Sequence, residues 1–394
     1  MTTFDFDKMI DRRGTNSEKW DGLEKRFGSN DLVSMWVADM DFEAPPCVKE
    51  TIKSRAEHGI FGYTEQNDKY YDSITRWVAR RHGWNIQNKW ICNTPGVVPA
   101  LSMALMAFTQ PGDSVIIQPP VYYPFFSVIG GRGRKIVENP LIFNQGKFHM
   151  DLDDLRSKID SGVKALFLCS PHNPVGRVWT RDELEKLAEI CIENEILVIS
   201  DEIHSDIIFE GNRHIPIASI SEEIAERTIT CISPSKTFNI AGLSTSAAII
   251  PDKKTRENFK KVLDFLHLGE GNLFGTFALE AAYDGGEPWL NELLIYLQGN
   301  LEYLDNFCKE RLPGVSLVYP EGTYVPFLDF RTLGLSGEEL QDLLIRKAKV
   351  ALDGGYWFGT GGEGFARINI ATPRMILKEG LENIASGLRE NFKF

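Results

Sequence analysis

Lys236 sits in "SPSK", directly after the apolar run "TITCI", with Ser233 and Ser235 on its N-terminal side. A solvated surface lysine needs no such setting, whereas a lysine that does covalent chemistry through its amine does. Three other apolar runs end on polar clusters of the same kind. "EILVIS" leads into "DEIHSD", offering Asp201 and His204; "VKALFLC" leads into "SPHNPVG", offering Asn173; "DSVIIQ" leads into "PPVYYPF", offering Tyr122 and Tyr123. Singly, each has a plain structural reading: an Asn beside Pro turns the chain, an Asp after a strand caps, and a Tyr fills part of a core. Together, an amine, a carboxylate, an imidazole, an amide and an aromatic face form the set that pyridoxal 5′-phosphate requires. Its aldehyde forms a Schiff base with a lysine, and its pyridine nitrogen needs an acidic partner. On that reading Lys236 carries the cofactor and Asp201 keeps the ring nitrogen protonated. Asn173 and His204 hydrogen-bond the phenolic oxygen, and Tyr122 supplies a stacking face.

The elements that must position these groups are written in the hydrophobic pattern. The four runs are short, continuous and apolar, as expected of parallel strands covered on both faces. Between two of them lies "TRDELEKLAEICIEN", where Thr180 and Glu183 form a T-x-x-E capping box. The repeating β–α order predicts an α/β domain with a mostly parallel central sheet and helices on both faces. In such open sheets ligands bind beyond the carboxyl ends of the strands, which puts the four clusters on one rim. "TPGVVPALSMALMAF" reads as a buried helix with Pro99 in its first turn. The free N–H groups of Gly96, Val97 and Val98 at its start suit a phosphate, with Ser233 and Ser235 as hydroxyl donors. The C-terminal part changes character: a long amphipathic helix, "SLVYPEGTYVPFLDF", a further helix and "FARINIA" predict a smaller α+β domain, joined through 283–290, "YDGGEPWL". The expected division is an N-terminal segment, 1–48, belonging to the small domain, a large cofactor-binding domain, 49–285, and the small domain proper, 286–394.

"SPSKTFNIAG", "PHNPVG" and "SDEIH", in this order and spacing, resemble the fold-type I pyridoxal-phosphate enzymes of the aspartate-aminotransferase superfamily, over almost the whole chain. "WVADMDF", "GYTEQND", "TPGVVPAL", "PPVYYPF" and "AAYDGGEPWL" resemble its C–S β-lyase branch. The resemblance implies the fold-type I architecture, Lys236 as the Schiff-base lysine, Asp201 as the pyridinium partner, Asn173 on the phenolic oxygen and Tyr122 on the ring. It implies that Tyr63 of "GYT" reaches the phosphate of a neighbouring subunit, hence a homodimer with shared active sites. Arg367 of "FARINIA" clamps the substrate α-carboxylate with its bidentate fork, and Tyr123 and Ala38 lie on the substrate side. Spacing alone reads Tyr63 as a core aromatic and Arg367 as a strand-edge charge. The activity implied is α,β-elimination on L-cystathionine or another L-cysteine S-conjugate, giving pyruvate, ammonia and a thiol. The alternative is an aminotransferase, which shares every step up to the loss of the Cα proton.

Two departures bear on that choice. Many aminotransferases of the family carry a tyrosine where this chain has His204, and a phosphate-binding arginine where it has Ser244. Losing a cation about 4 Å from an anion forfeits on the order of 4 kcal/mol at an effective dielectric of ~20, so backbone donors and hydroxyls must compensate. Both departures fit the lyase branch. "GTGGEG" (359–364) matches G-x-G-x-x-G without its strand–helix context and reads as a flexible loop near the substrate side.

Bulk properties exclude other classes. A net charge of −12 argues against nucleic-acid partners, and against a cofactor-sensing regulator with an appended basic DNA-binding domain. The apolar runs fall short of the roughly 20 residues that span a bilayer, and the first residues show no secretory apolar stretch. The six cysteines are scattered, without a C-x-x-C pair, and the histidines show no metal-ligand spacing. The expectation is a reduced, cytoplasmic protein with a small amino-acid substrate and no metal, nucleic-acid or membrane partner.

Overall fold

The structure, a computed structural model, describes residues 4–392; the ends of the expected first and last segments, 1–3 and 393–394, lie outside the described residues. The apolar runs pair into a seven-stranded sheet: β1 (Ile91–Thr94), β2 (Ser114–Ile117), β3 (Lys135–Glu138), β4 (Val163–Cys169), β5 (Leu197–Asp201), β6 (Thr228–Ile232) and β7 (Ser246–Ile249). Their order across the sheet is β1-β7-β6-β5-β4-β2-β3. β7 is antiparallel to both its neighbours and the other pairs are parallel. The four strands that carry the candidate residues, β6, β5, β4 and β2, are therefore consecutive, and their carboxyl ends form one rim.

Side chains alternate across this sheet as the pleat requires. Val115, Ile117, Ala165, Phe167, Ile199 and Ile229 pack into one apolar layer, and Ile116, Leu166, Leu168 and Val198 into another on the opposite face. Helix α1 (Val97–Phe108) covers the first face, with Ala100, Leu101, Ala104 and Leu105 fully buried. Helix α2 (Arg181–Glu193) covers the second and begins with the predicted capping box. The Thr180 N–H donates to the Glu183 carboxylate (2.8 Å), and the Glu183 N–H donates to Thr180 Oγ1 (3.3 Å). β6 runs into a single helical turn, α3 (Pro234–Thr237), and α4 (Lys253–Leu266) packs on α1.

Helices α5 (Leu273–Gly285) and α6 (Glu287–Arg311) meet at Gly286, so the expected joint is one residue rather than a loop. A Cβ there would lie 2.5 Å from both the Ala282 carbonyl oxygen and the Phe238 ring. Beyond it a four-stranded antiparallel sheet forms from β8 (Ser316–Leu317), β9 (Phe327–Asp329), β10 (Asp353–Gly354) and β11 (Phe365–Arg367), in the order β8-β9-β11-β10. Helix α7 (Arg374–Asn391) packs on α6. Val33–Ser34 pairs with Val350–Ala351, tying the N-terminal segment to the C-terminal part.

The loop after β4 is braced from the same side. Arg177 binds the carboxylates of Glu183 (2.9 Å) and Glu321 (2.8 Å). Gly176, at φ +71°, accepts from the N–H groups of Glu321 (2.7 Å) and Gly322 (3.1 Å). It lies against Pro320, whose Cα would be 2.8 Å from an added Cβ. Gly176→Ala therefore combines left-handed backbone strain with an overlap against a rigid ring, and is expected to cost about 2–4 kcal/mol. A lowered urea midpoint at unchanged slope would register it.

Candidate active site

The rim opens on a cavity of about 520 Å³. Lys236, Asp201, His204, Asn173, Tyr122, Tyr123, Ser235, Ala38 and Arg367 all line it, as do Gly96, Val97 and Val98. Residues from the four neighbouring loops, the start of α1 and β11 thus meet in one space.

Asp201 ends the central strand, paired with Cys169 of β4 and Cys231 of β6. It is buried among apolar neighbours and forms no ion pair with a described residue; its Oδ1 accepts only the Ile203 N–H (3.2 Å). Burial pushes its carboxyl up to about 7, against the pull of that hydrogen bond and of Lys236. Lys236 lies on the turn α3, half-buried, and its Nζ donates to the Ala38 carbonyl oxygen (2.6 Å). Removal from water lowers its ammonium to about 8, opposed by the carboxylates of Asp39 and Asp201 and aided by Arg367. A lysine and an aspartate whose ordinary ranges lie far apart are thus both brought to titrate near neutral pH.

Gly96 is the N-cap of α1, and Ala100 is the first residue whose N–H finds a helical carbonyl (Gly96, 3.0 Å). Pro99 has no N–H, which leaves those of Val97 and Val98 without a helical acceptor at the cavity wall. His204 is buried, with Nδ1 unpartnered, and burial holds it well below the usual imidazole range. Arg367 is only 3 % exposed. Its fork donates to Asn173 Oδ1 (3.1 Å), the Trp36 carbonyl oxygen (3.0 Å) and the Asp353 carboxylate, while its Nε has no partner.

Several residues sit differently from what spacing or resemblance suggests. Ser233 does not line the cavity. It caps α3, donating to the Thr245 carbonyl oxygen (2.7 Å) and accepting from the Ser235 N–H (3.1 Å). The serines that fence the lysine thus divide: one fixes the turn and the other faces the ligand space. Tyr63 is no core aromatic; it is fully exposed and outside this chain's cavity. Arg367 is no edge charge, because β11 lies inside its sheet. Ser244 is exposed, at φ +46°, with its carbonyl oxygen bonded to Asn272 (3.1 Å), so no cation stands there. The "GTGGEG" loop lies outside the cavity lining, with Gly359 packed on Phe126 and Pro119.

Some functional neighbours carried no readable signal. Asp353, which holds Arg367, belongs to a two-residue strand. Trp36 and Asp39 fall within the "WVADMDF" segment, but nothing in their spacing reveals a role. The segment is locked from the N-terminal side. Arg12 grips Asp39 (2.6 Å) and Asp41 (2.8 Å), and fully buried Lys19 binds Asp41 (2.7 Å). That places the Ala38 and Trp36 carbonyls on Lys236 and Arg367.

Residues 30–384 match the family described as aminotransferase class I and II. The chain belongs to that family. Among its class I and II relatives, cystathionine beta-lyase PatB of Bacillus subtilis (strain 168) is 47% identical, over 97% of this chain and 99% of that protein. Protein MalY of Escherichia coli (strain K12) is 34% identical over 98% and 99%. Among solved structures, cystalysin from Treponema denticola, described as containing a pyridoxal 5′-phosphate cofactor, superposes with a TM-score of 0.95 at 39% identity, covering 98% of this chain and 99% of that one.

The lowered Lys236 value has a direct test. Reductive methylation of cofactor-free protein with formaldehyde and cyanoborohydride, followed at Lys236 by peptide mass spectrometry, is expected to rise with pH around a midpoint near 8. An ordinary lysine would titrate at about 10.4. Asp39→Asn removes a carboxylate that favours the ammonium, so the midpoint should fall further.

Proposed function

We propose that the chain binds pyridoxal 5′-phosphate in this cavity and cleaves the Cβ–S bond of L-cysteine S-conjugates such as L-cystathionine, giving pyruvate, ammonia and a thiol. The observation that carries the reading is the convergence of Lys236 and Asp201 on one cavity beside the open N-terminus of α1. The residues present fit the cofactor. A lysine amine of lowered affinity for protons faces a buried carboxyl with no cationic partner, and the His204 Nδ1, Arg367 Nε and the N–H groups of Val97 and Val98 lack acceptors or donors. Val97, Val98 and Ser235 would hold the phosphate, Asp201 the ring nitrogen, Asn173 and His204 the phenolic oxygen, and Tyr122 the ring face. When bound, the cofactor supplies an aldehyde for amine exchange and a ring that takes up the electron pair left at the substrate's Cα. Arg367 binds the substrate α-carboxylate, kept in line by Asp353 and Asn173. Lys236 Nζ, neutral when released, removes the Cα proton as general base. Asp201 keeps a proton on the ring nitrogen, and the thiolate departs from Cβ. One water is consumed as the product hydrolyses to pyruvate and ammonia.

The same reading makes the protein a homodimer whose active sites are shared. Support comes from the exposed apolar run Ile60, Phe61 and Tyr63, which contributes nothing to its own cavity. It also divides the chain at residues 48 and 285, with the N-terminal segment joined to the small domain through the Val33–Val350 pairing. A cytoplasmic location is supported by six free cysteines, five of them buried; among the described residues no helix is long and apolar enough to cross a membrane.

Purified holoenzyme should release pyruvate from L-cystathionine with no keto acid present. Turnover that instead needs a keto acid acceptor would make it an aminotransferase. Lys236→Ala should abolish both turnover and the borohydride-trappable linkage of cofactor to protein; a linkage that survives would remove Lys236 from its role.

A further inference from the structure

Four carboxylates face the cavity: Asp39, Asp201, Asp353 and Glu18. Three are accounted for. Asp39 is gripped by Arg12 at 2.6 Å, Asp353 is paired with Arg367, and Asp201 lies at the rim where the cofactor ring nitrogen is placed. Glu18 forms no ion pair and no side-chain hydrogen bond with any described residue. Its position is nonetheless fixed, because its chain neighbour Lys19 is fully buried and bound to Asp41 at 2.7 Å. Glu18 is exposed as a residue, yet it lines the mouth of the same cavity as Lys236 and Tyr123, so a ligand that fills the cavity meets it.

A cysteine conjugate with its α-carboxylate on Arg367 and its Cα at Lys236 has one arm left, the group on sulfur. That arm must occupy the remaining wall, where an anion without a partner is desolvated in part by any ligand that enters. A neutral or anionic arm would lose Glu18's hydration with no return, whereas an ammonium would replace it. We propose that Glu18 is a specificity residue that selects S-conjugates carrying an ammonium on the leaving half, as L-cystathionine does beside its distal carboxylate. This rests on the lyase reading above and names its substrate class.

Pyruvate release by the holoenzyme tests it with two conjugates of matched length, S-(2-aminoethyl)-L-cysteine and S-propyl-L-cysteine. The two thiols differ as leaving groups, so the informative quantity is the ratio of their kcat/KM values in wild type divided by that ratio in Glu18→Gln, where leaving-group reactivity cancels. An ion pair to this exposed carboxylate, lost in the variant, should lower the preference for the cationic conjugate about threefold. Glu18→Lys should go further and favour S-(2-carboxyethyl)-L-cysteine over the aminoethyl conjugate. Pyruvate formation with the same ratio in wild type and Glu18→Gln overturns the inference while leaving the lyase reading intact. No pyruvate from any conjugate removes the lyase reading, and this inference with it.

Discussion

An amine and a carboxyl taken out of water at the end of one parallel sheet set the terms for everything around them. Charging either group there is costly, since desolvation acts on both and only distant opposite charges repay it. Lys236 and Asp201 therefore both titrate close to neutral pH, poised to exchange protons with a ligand. Such a pair is tolerable only if the surroundings are rigid enough to keep water out and the groups apart. The apolar layers on both faces of the sheet, the capped turn α3 and the cysteines flanking Asp201 provide that rigidity.

The small sheet completes the site from the other side. β11 supplies Arg367, and its buried partner Asp353 comes from the adjacent strand. Taking a guanidinium to 3 % exposure requires that most of its donors be engaged, and the Trp36 carbonyl and the Asn173 side-chain oxygen share that task with Asp353. One cationic fork thus ties together the N-terminal segment, the loop after β4 and the C-terminal sheet. The brace through Arg177, Glu183, Glu321 and Gly176 couples the same loop to the same sheet by a second route.

Most of the large sheet and its rim could be read from the sequence, because parallel strands buried on both faces leave uninterrupted apolar runs and their polar successors stand out. Asn173, Asp201, His204 and Lys236 all follow such runs. What escaped reading had a physical reason in each case. Asp353 lies on a strand too short to show a pattern. Tyr63 looks like core by residue type, although its ring is entirely in solvent here. Ser233 was indistinguishable from Ser235 in type, and only the backbone direction of the turn assigns one to capping and the other to the cavity. Trp36 and Ala38 act through main-chain oxygens, which no side-chain pattern reports.

That last feature sets what the segment will tolerate. Besides the Asp39 carboxylate it offers the site two carbonyls at fixed points, held there by salt bridges from Arg12 and Lys19. Trp36 is itself buried, with its indole N–H donating to the Lys19 carbonyl oxygen (3.0 Å), so its ring as well as the path of the chain must be preserved. The remote charged residues Arg12 and Lys19 are constrained as well, since they make no contact with the chemistry yet determine where the segment runs.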